Sequence, residues 1–183
     1  GKGIKKAYVW VVTAVNTGLV YYFYHDGSRR EDIILDYIKG YRGAFQSDGF
    51  SPYRKMAKWL LRLACFQHVK RKLLDCGDDF DTKVIVRLAN YIYHQDHKHI
   101  IGVDGWTERD HYKWRQQYAL PVMRIIRKKL ERMAADKSLL PKTEKYDAVH
   151  YMLNEWDGLM NIFTRGDYHL DLSLIHISEP TRP

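Results

Sequence analysis

Cysteine is scarce in this sequence: Cys65 and Cys76 are the only two among 183 residues. That excludes a disulfide framework and makes a reducing cytoplasm the natural setting. Long apolar runs are missing as well. No stretch of about 18 apolar residues occurs, which excludes a membrane span. Gly1–Lys6 is basic, but the apolar run after it is aromatic and β-branched, unlike a signal-peptide core. Internal repeats and low-complexity blocks are absent. Acid is short relative to base, 22 Asp+Glu against 30 Lys+Arg, giving a net charge of +8 and a pI near 9.4. Nucleic acid is therefore the leading partner class, ahead of an acidic protein surface. What is plentiful is core-forming material: 45% of residues are hydrophobic and 14% aromatic. Such a chain can offset its ordering entropy and is not disordered.

Along the chain the texture changes. Ala7–Val15 and Leu19–Tyr24 are β-branched and aromatic runs joined through Asn16-Thr17-Gly18, which predicts a hairpin. Their near-continuous apolar character suggests cover on both faces, as in an α/β sheet. Ser28-Arg29-Arg30-Glu31 fits a capping box, and Ile33, Ile34, Tyr37 and Ile38 then share a helix face that ends at Gly40. Residues 43–49 read as a short strand finishing at Asp48. Leu60–Phe66 suits either a strand or the start of a helix, and Lys70–Leu74 suits a helix. From Asp81 onward the periods are helical. Val84, Ile85, Leu88, Ala89 and Ile92 fall on one face. Thr107 caps a long helix carrying Val122, Ile125, Ile126, Leu130 and Met133, with Pro121 as a kink or break. Over Thr143–Phe163 the residues Tyr146, Val149, Leu153, Trp156, Met160 and Phe163 step by three and four, one buried stripe.

Asp48 sits at the end of a predicted strand, where open α/β sheets gather their chemistry. From spacing alone, a plain Asp-Gly turn with Gly49 is the commoner use of such a pair. Cys65 and His68 form a C-x-x-H, half of a structural zinc set; a buried thiol beside a locally bonded imidazole fits better than a metal. His94, Asp96, His97 and His99 also cluster, in a stretch polar enough to be solvated surface. Base is concentrated in two stretches. Arg54–Lys72 holds seven Lys/Arg and no acid, and Lys113–Lys145 holds ten with three acids. Phosphate backbones select such surfaces by counterion release, although an ordinary solvated helix face has the same look.

The order of these motifs resembles a known family. A hydrophobic hairpin, a capped helix, then FQSDGFSPY (45–53) and ACFQHVKRKLL (64–74) is similar to the catalytic domain of the insertion sequence 66 transposases. That family reads Leu-Gln-x-Asp-Gly-Tyr-x-x-Tyr and then Cys-Trp-Ala-His-x-Arg-Arg. Further on, RQQYALPVM (115–123) resembles its Arg-Gln-x-x-x-x-Pro-Ile-Leu, and HYMLNEWDGLMNIF (150–163) its Tyr-x-Leu-Asn-Gln-Trp-x-x-Leu. Four motifs in order over roughly residues 1–171 are far more specific than one short pattern.

The resemblance implies an α/β, RNase-H-like domain with a mixed sheet, a mostly helical insertion and a following helix. It divides the chain into a partial catalytic core at 1–78, an insertion at 79–141, a returning helix at 142–171 and a tail at 172–183. It also implies a DDE transposase that cleaves and joins DNA in a bacterial cytoplasm, working as a homo-oligomer in its intact complex. Three carboxylates of that family hold Mg²⁺ or Mn²⁺, since two hard cations steady the attacking and leaving oxygens of an in-line displacement. By the carry-over Asp48 is the second acid of the trio, catalytic and metal-holding. Cys65 and His68 support the site, and Arg71, Lys72 and Arg115 meet DNA.

Two departures accompany the matches. The family's first aspartate lies upstream of the hairpin, before Gly1-Lys2-Gly3, so the first strand of the sheet is expected to be missing. The family's glutamate comes after an Asp-Asn-Asn that should begin at Asp171, where the chain instead continues LSLIHISEPTRP (172–183). That string looks like a translated sequencing adapter, and Glu179 within it takes no role. The expectation is thus a transposase fragment that is itself inactive. The alternative is a non-catalytic basic DNA-binding module.

Overall fold

The computed structural model describes residues 8–14, 19–25, 31–49, 51–77 and 79–172. It divides into two compact units with the boundary after Tyr41.

In the first unit, β1 (Tyr8–Ala14) and β2 (Leu19–His25) pair antiparallel, from Tyr8 opposite His25 to Ala14 opposite Leu19. The β-branched and aromatic residues of both strands favour this extended pairing. Helix α1 (Glu31–Ile38) buries Ile34 and Ile38, four residues apart on one face. The expected turn at 16–18 and the capping box beginning at Ser28 lie outside the described residues.

The second unit opens with β3 (Ala44–Ser47), then α2 (Ser51–Lys55), a single 3₁₀ turn at Met56–Lys58 and β4 (Leu61–Ala64). Strands β3 and β4 pair in parallel, Ala44 beside Leu61 through Ser47 beside Ala64. The ambiguous run at 60–66 is therefore a strand, and α3 (Phe66–Asp75) starts immediately beyond it. Helix α4 (Phe80–Lys98) comes next, capped by Asp79, whose carboxylate accepts from the Thr82 N–H.

Helices α5 (Glu108–Trp114) and α6 (Leu120–Ala135) run on through a π-helical segment at Arg115–Ala119. Thr107 and Asp110 close a complete capping box at the start of α5. Pro121 does not break the helix. It sits in the first turn of α6, where its missing N–H costs least, and the irregularity precedes it. Ile125, expected in the core, is 48% exposed, because the buried face of α6 follows Met123, Ile126, Leu130 and Met133 and Ile125 lies off that spacing. Thr143 caps α7 (Glu144–Asn154), and α8 (Trp156–Ile162) continues after an interruption at Glu155.

One core unites this second unit. Leu63, Phe66, Val69 and Leu73 pack with Ile85 and Ile92 of α4, Met123, Ile126 and Leu130 of α6, and Val149, Met152, Leu159 and Phe163 of α7 and α8. Burying each such side chain contributes about 1.5–3 kcal/mol, which is what ties the helices to β4. Gly158 lets α8 approach the strand closely: a Cβ there would stand 3.1 Å from both Cβ and N of Ala64.

Candidate functional site

Asp48 immediately succeeds the last residue of β3, as the sequence predicts, and is half-buried. Its neighbour across the parallel pair is Cys65, because Ser47 pairs with Ala64 and the Cys65 N–H donates to the Ser47 carbonyl at 3.1 Å. Two strand ends are therefore in step, with a carboxylate at one and a thiol at the other.

The Asp48-Gly49 turn is braced from α7 and α8. Arg62 of β4, only 5% exposed, ion-pairs through Nη2 with Glu155, which is fully buried. The same Nη2 donates to the Asp48 carbonyl at 3.4 Å. Arg54 of α2 approaches the other carboxylate oxygen of Glu155 at 3.2 Å, out of hydrogen-bonding alignment. The Tyr151 ring packs on Gly49 so tightly that a Cβ there would collide with its hydroxyl. Burial, with the carboxylates of Glu155 and Asp48 nearby, pushes that hydroxyl up to about 12, so it stays protonated. Sequence reasoning missed Arg62, Tyr151 and Glu155 as neighbours of Asp48. Glu155 lies off the stripe of Tyr146, Val149, Leu153 and Trp156, so the spacing carried no signal of its burial.

A second cluster lies at the β4 end. His68 Nδ1 is 3.0 Å from Cys65 Sγ, one helical turn away, and the thiol is buried. Burial raises the Cys65 pKa, against weaker opposition from neighbouring backbone N–H groups. The Phe66 N–H donates to the Leu170 carbonyl at 2.8 Å, and Gln46 of β3 donates to the His169 carbonyl at 2.7 Å. The segment leading to Asp171 is thereby drawn to the same strand ends. Asp171 is buried and accepts from the Tyr93 hydroxyl of α4 at 2.5 Å.

Arg71 and Lys72 are exposed on α3. Arg115 is not at a surface, and the expectation that it meets DNA is corrected. It is 1% exposed, bidentate to Asp96 at 2.7 and 2.9 Å, and donates to the carbonyls of Ile162, Arg165 and Tyr168. Every face of the guanidinium is engaged, so it ties the π segment to α4 and to the chain after α8. Much of the basic charge legible in the sequence is likewise consumed. Lys129 and Arg132 hold Asp81, Arg127 holds Glu131, and Lys145 holds Asp79.

The chain matches the model of the Transposase IS66 family over residues 1–172. It belongs to that family. No curated protein and no solved structure matches it. The family is one of DDE transposases, which act on DNA and generally use a divalent metal. No helix among the described residues is long and apolar enough to cross a membrane.

The strand-end residues do not by themselves fit a pair of divalent cations. Asp48 offers hard oxygen ligands of the right kind. Glu155, a buried carboxylate linked to the turn through Arg62, is already neutralised by that guanidinium. Among the described residues no group of three or more His, Cys, Asp or Glu side chains is placed to hold a metal ion.

Proposed function

We propose that this chain carries the strand-end part of an RNase-H-like transposase catalytic core and that Asp48 is one of the acids of its DNA-cleaving and joining site. The observation that supports this most is the position of Asp48. It directly follows β3 beside the end of β4, with Gln46, Cys65 and the 168–171 segment converging on the same edge. In α/β sheets that edge is where ligands meet the carboxyl ends of strands. The helices from α4 onward would be the family's insertion and returning helix, and the intact assembly a homo-oligomer on DNA.

Because the described residues bring no acid trio together, we further propose that this chain binds duplex DNA but does not cut it unaided. In the complete site Mg²⁺ or Mn²⁺ would supply charge neutralisation at the scissile phosphate. This chain's own part is to present the Asp48 carboxylate on a braced turn and to offer Arg71 and Lys72 to phosphates.

Nicking of supercoiled plasmid with Mg²⁺ or Mn²⁺ tests the reading. The expected result is salt-sensitive binding without nicking. Nicking that disappears in Asp48→Ala would refute the inactivity while supporting the role of Asp48. Nicking that survives that substitution would refute the role itself.

A further inference from the structure

Several cations of the basic stretches that stand out in the sequence are tied up in ion pairs, Arg62, Arg115, Arg127, Lys129, Arg132 and Lys145 among them, while α4, a helix outside both stretches, presents an exposed basic face with no acid of its own on it. On α4, Lys83, Arg87, Tyr91, His94 and Lys98 are all exposed. Their spacing of four, four, three and four residues keeps them within one narrow arc of the helix. From Lys83 to Lys98 the stripe spans about 22 Å, the rise of about six base pairs of B-DNA.

The two acids of α4 point elsewhere. Asp81 is held by Lys129 at 3.1 Å and Arg132 at 3.0 Å of α6. Asp96 is buried against His111 and Arg115. Asp81 is thus ion-paired at the surface to α6 and Asp96 is buried, so neither carboxylate lies on the arc of Arg87, Tyr91, His94 and Lys98. The contrast with α6 is direct, since its exposed Arg124 and Lys128 share their face with Ile125 and Glu131.

The stripe is also continuous with the candidate site. Lys70 of α3 sits over the Tyr93 ring at 5.3 Å, and the His94 ring lies 5.9 Å from it. Tyr93 in turn holds Asp171, which belongs to the segment at the β3–β4 strand ends. Arg71 and Lys72, next in sequence to Lys70 on α3, are also exposed.

We propose that this face of α4 is a backbone-tracking surface for duplex DNA, with Arg87 and Lys98 contacting phosphates and Tyr91, 50% exposed, packing between them. Sequence-independent phosphate contacts are what a stripe of cations without acids provides. The inference rests on the DNA-acting reading above for the nature of its partner, not on any role of Asp48.

The test is fluorescence anisotropy of a labelled 20-base-pair duplex of arbitrary sequence, titrated with the full chain over a range of salt. Arg87→Gln/Lys98→Gln is compared with Arg124→Gln/Lys128→Gln, which removes the same charge from α6, and with Arg71→Gln/Lys72→Gln. All six side chains are exposed, and thermal melting verifies folding. The α4 variant is expected to bind about tenfold more weakly and to lose about 1.8 from the slope of log affinity against log salt, 0.9 per phosphate contact. The α6 variant should change by less than about threefold. Equal losses in the α4 and α6 variants would mean undirected charge attraction and would overturn the proposal. Loss in the α3 variant alone would overturn it while leaving the DNA reading intact. No binding of the unaltered chain at low salt would overturn both. Displacement by polyglutamate as readily as by unlabelled duplex would overturn the choice of DNA over an acidic protein.

Discussion

A single nitrogen of Arg62, Nη2, serves both the buried carboxylate of Glu155 and the backbone carbonyl of Asp48. The strand end that carries the candidate acid is thereby tied to the junction of α7 and α8. Glu155 stands where α7 gives way to α8.

Removing one partner of this buried pair should cost far more than weakening it. Glu155→Ala leaves the Arg62 guanidinium buried without a counter-charge, and a loss of about 3–5 kcal/mol is expected. Glu155→Gln keeps an acceptor for Arg62 and should cost about 1–2 kcal/mol. Urea unfolding monitored by circular dichroism checks the order. Equal losses for the two variants would show that the charge and the acceptor contribute nothing separable.

Gly49 gives a second, steric prediction. A methyl group there meets the Tyr151 hydroxyl and ring, which belong to a helix held by the core and cannot simply swing away. Gly49→Ala should destabilise by about 1–3 kcal/mol, the usual cost of overpacking. Combined with Tyr151→Ala the clash is gone, so the double variant should be more stable than the sum of the single losses predicts. Strict additivity in a double-mutant cycle would rule the clash out.

Much of this architecture was legible because periodicity and caps are local. The hairpin strands, β3 leading into Asp48, the Thr107 and Thr143 caps and the buried α4 face all arise from residues within a few positions of one another. What could not be read is which charges meet. Arg115 and Lys129 look like DNA-facing cations in the sequence, yet each is claimed by an aspartate 19 or 48 positions away. The same blindness hid the α4 stripe. Asp96 continues the Ile85, Ala89 and Ile92 spacing of the buried face, but the pairing of Asp81 with Lys129 and Arg132 of α6 is not written in the spacing. The Glu155 brace was hidden for the same reason, its partner Arg62 lying 93 residues earlier.

The two thiols should differ in reactivity. Cys65 is buried under the 168–172 segment, and burial raises its pKa, while Cys76 is only half-buried at the end of α3 and is raised by burial and by Asp79. Since the thiolate is the reactive form, neither should label quickly at neutral pH, but Cys76 should label first. Labelling with a chromogenic disulfide under native conditions should give one slow phase assigned by Cys76→Ser. Cys65 should react only upon unfolding in urea. Faster labelling of Cys65 would show that the 168–172 segment does not cover it.

Asp96 makes the stability of the helical half depend on acid. Burial alone would raise its pKa, but hydrogen bonds from His111 and Arg115 hold the carboxylate at about 2. An unfolded aspartate titrates near 3.9. The folded value is the lower of the two, so the ionised form is favoured by folding. Its contribution is fully present above the unfolded pKa and is lost as pH falls through the folded one. The shift corresponds to about 2.5 kcal/mol, disappearing between about pH 5 and pH 2. Asp96→Asn lacks this titration and also deprives Arg115 of its bidentate partner, so at pH 7 it should be less stable by about 3–5 kcal/mol. Urea midpoints measured for both proteins across this range should therefore converge as the solution is acidified. A difference that stays constant from pH 5 to pH 2 would show that Asp96 is not held in its charged form by the π segment and α5.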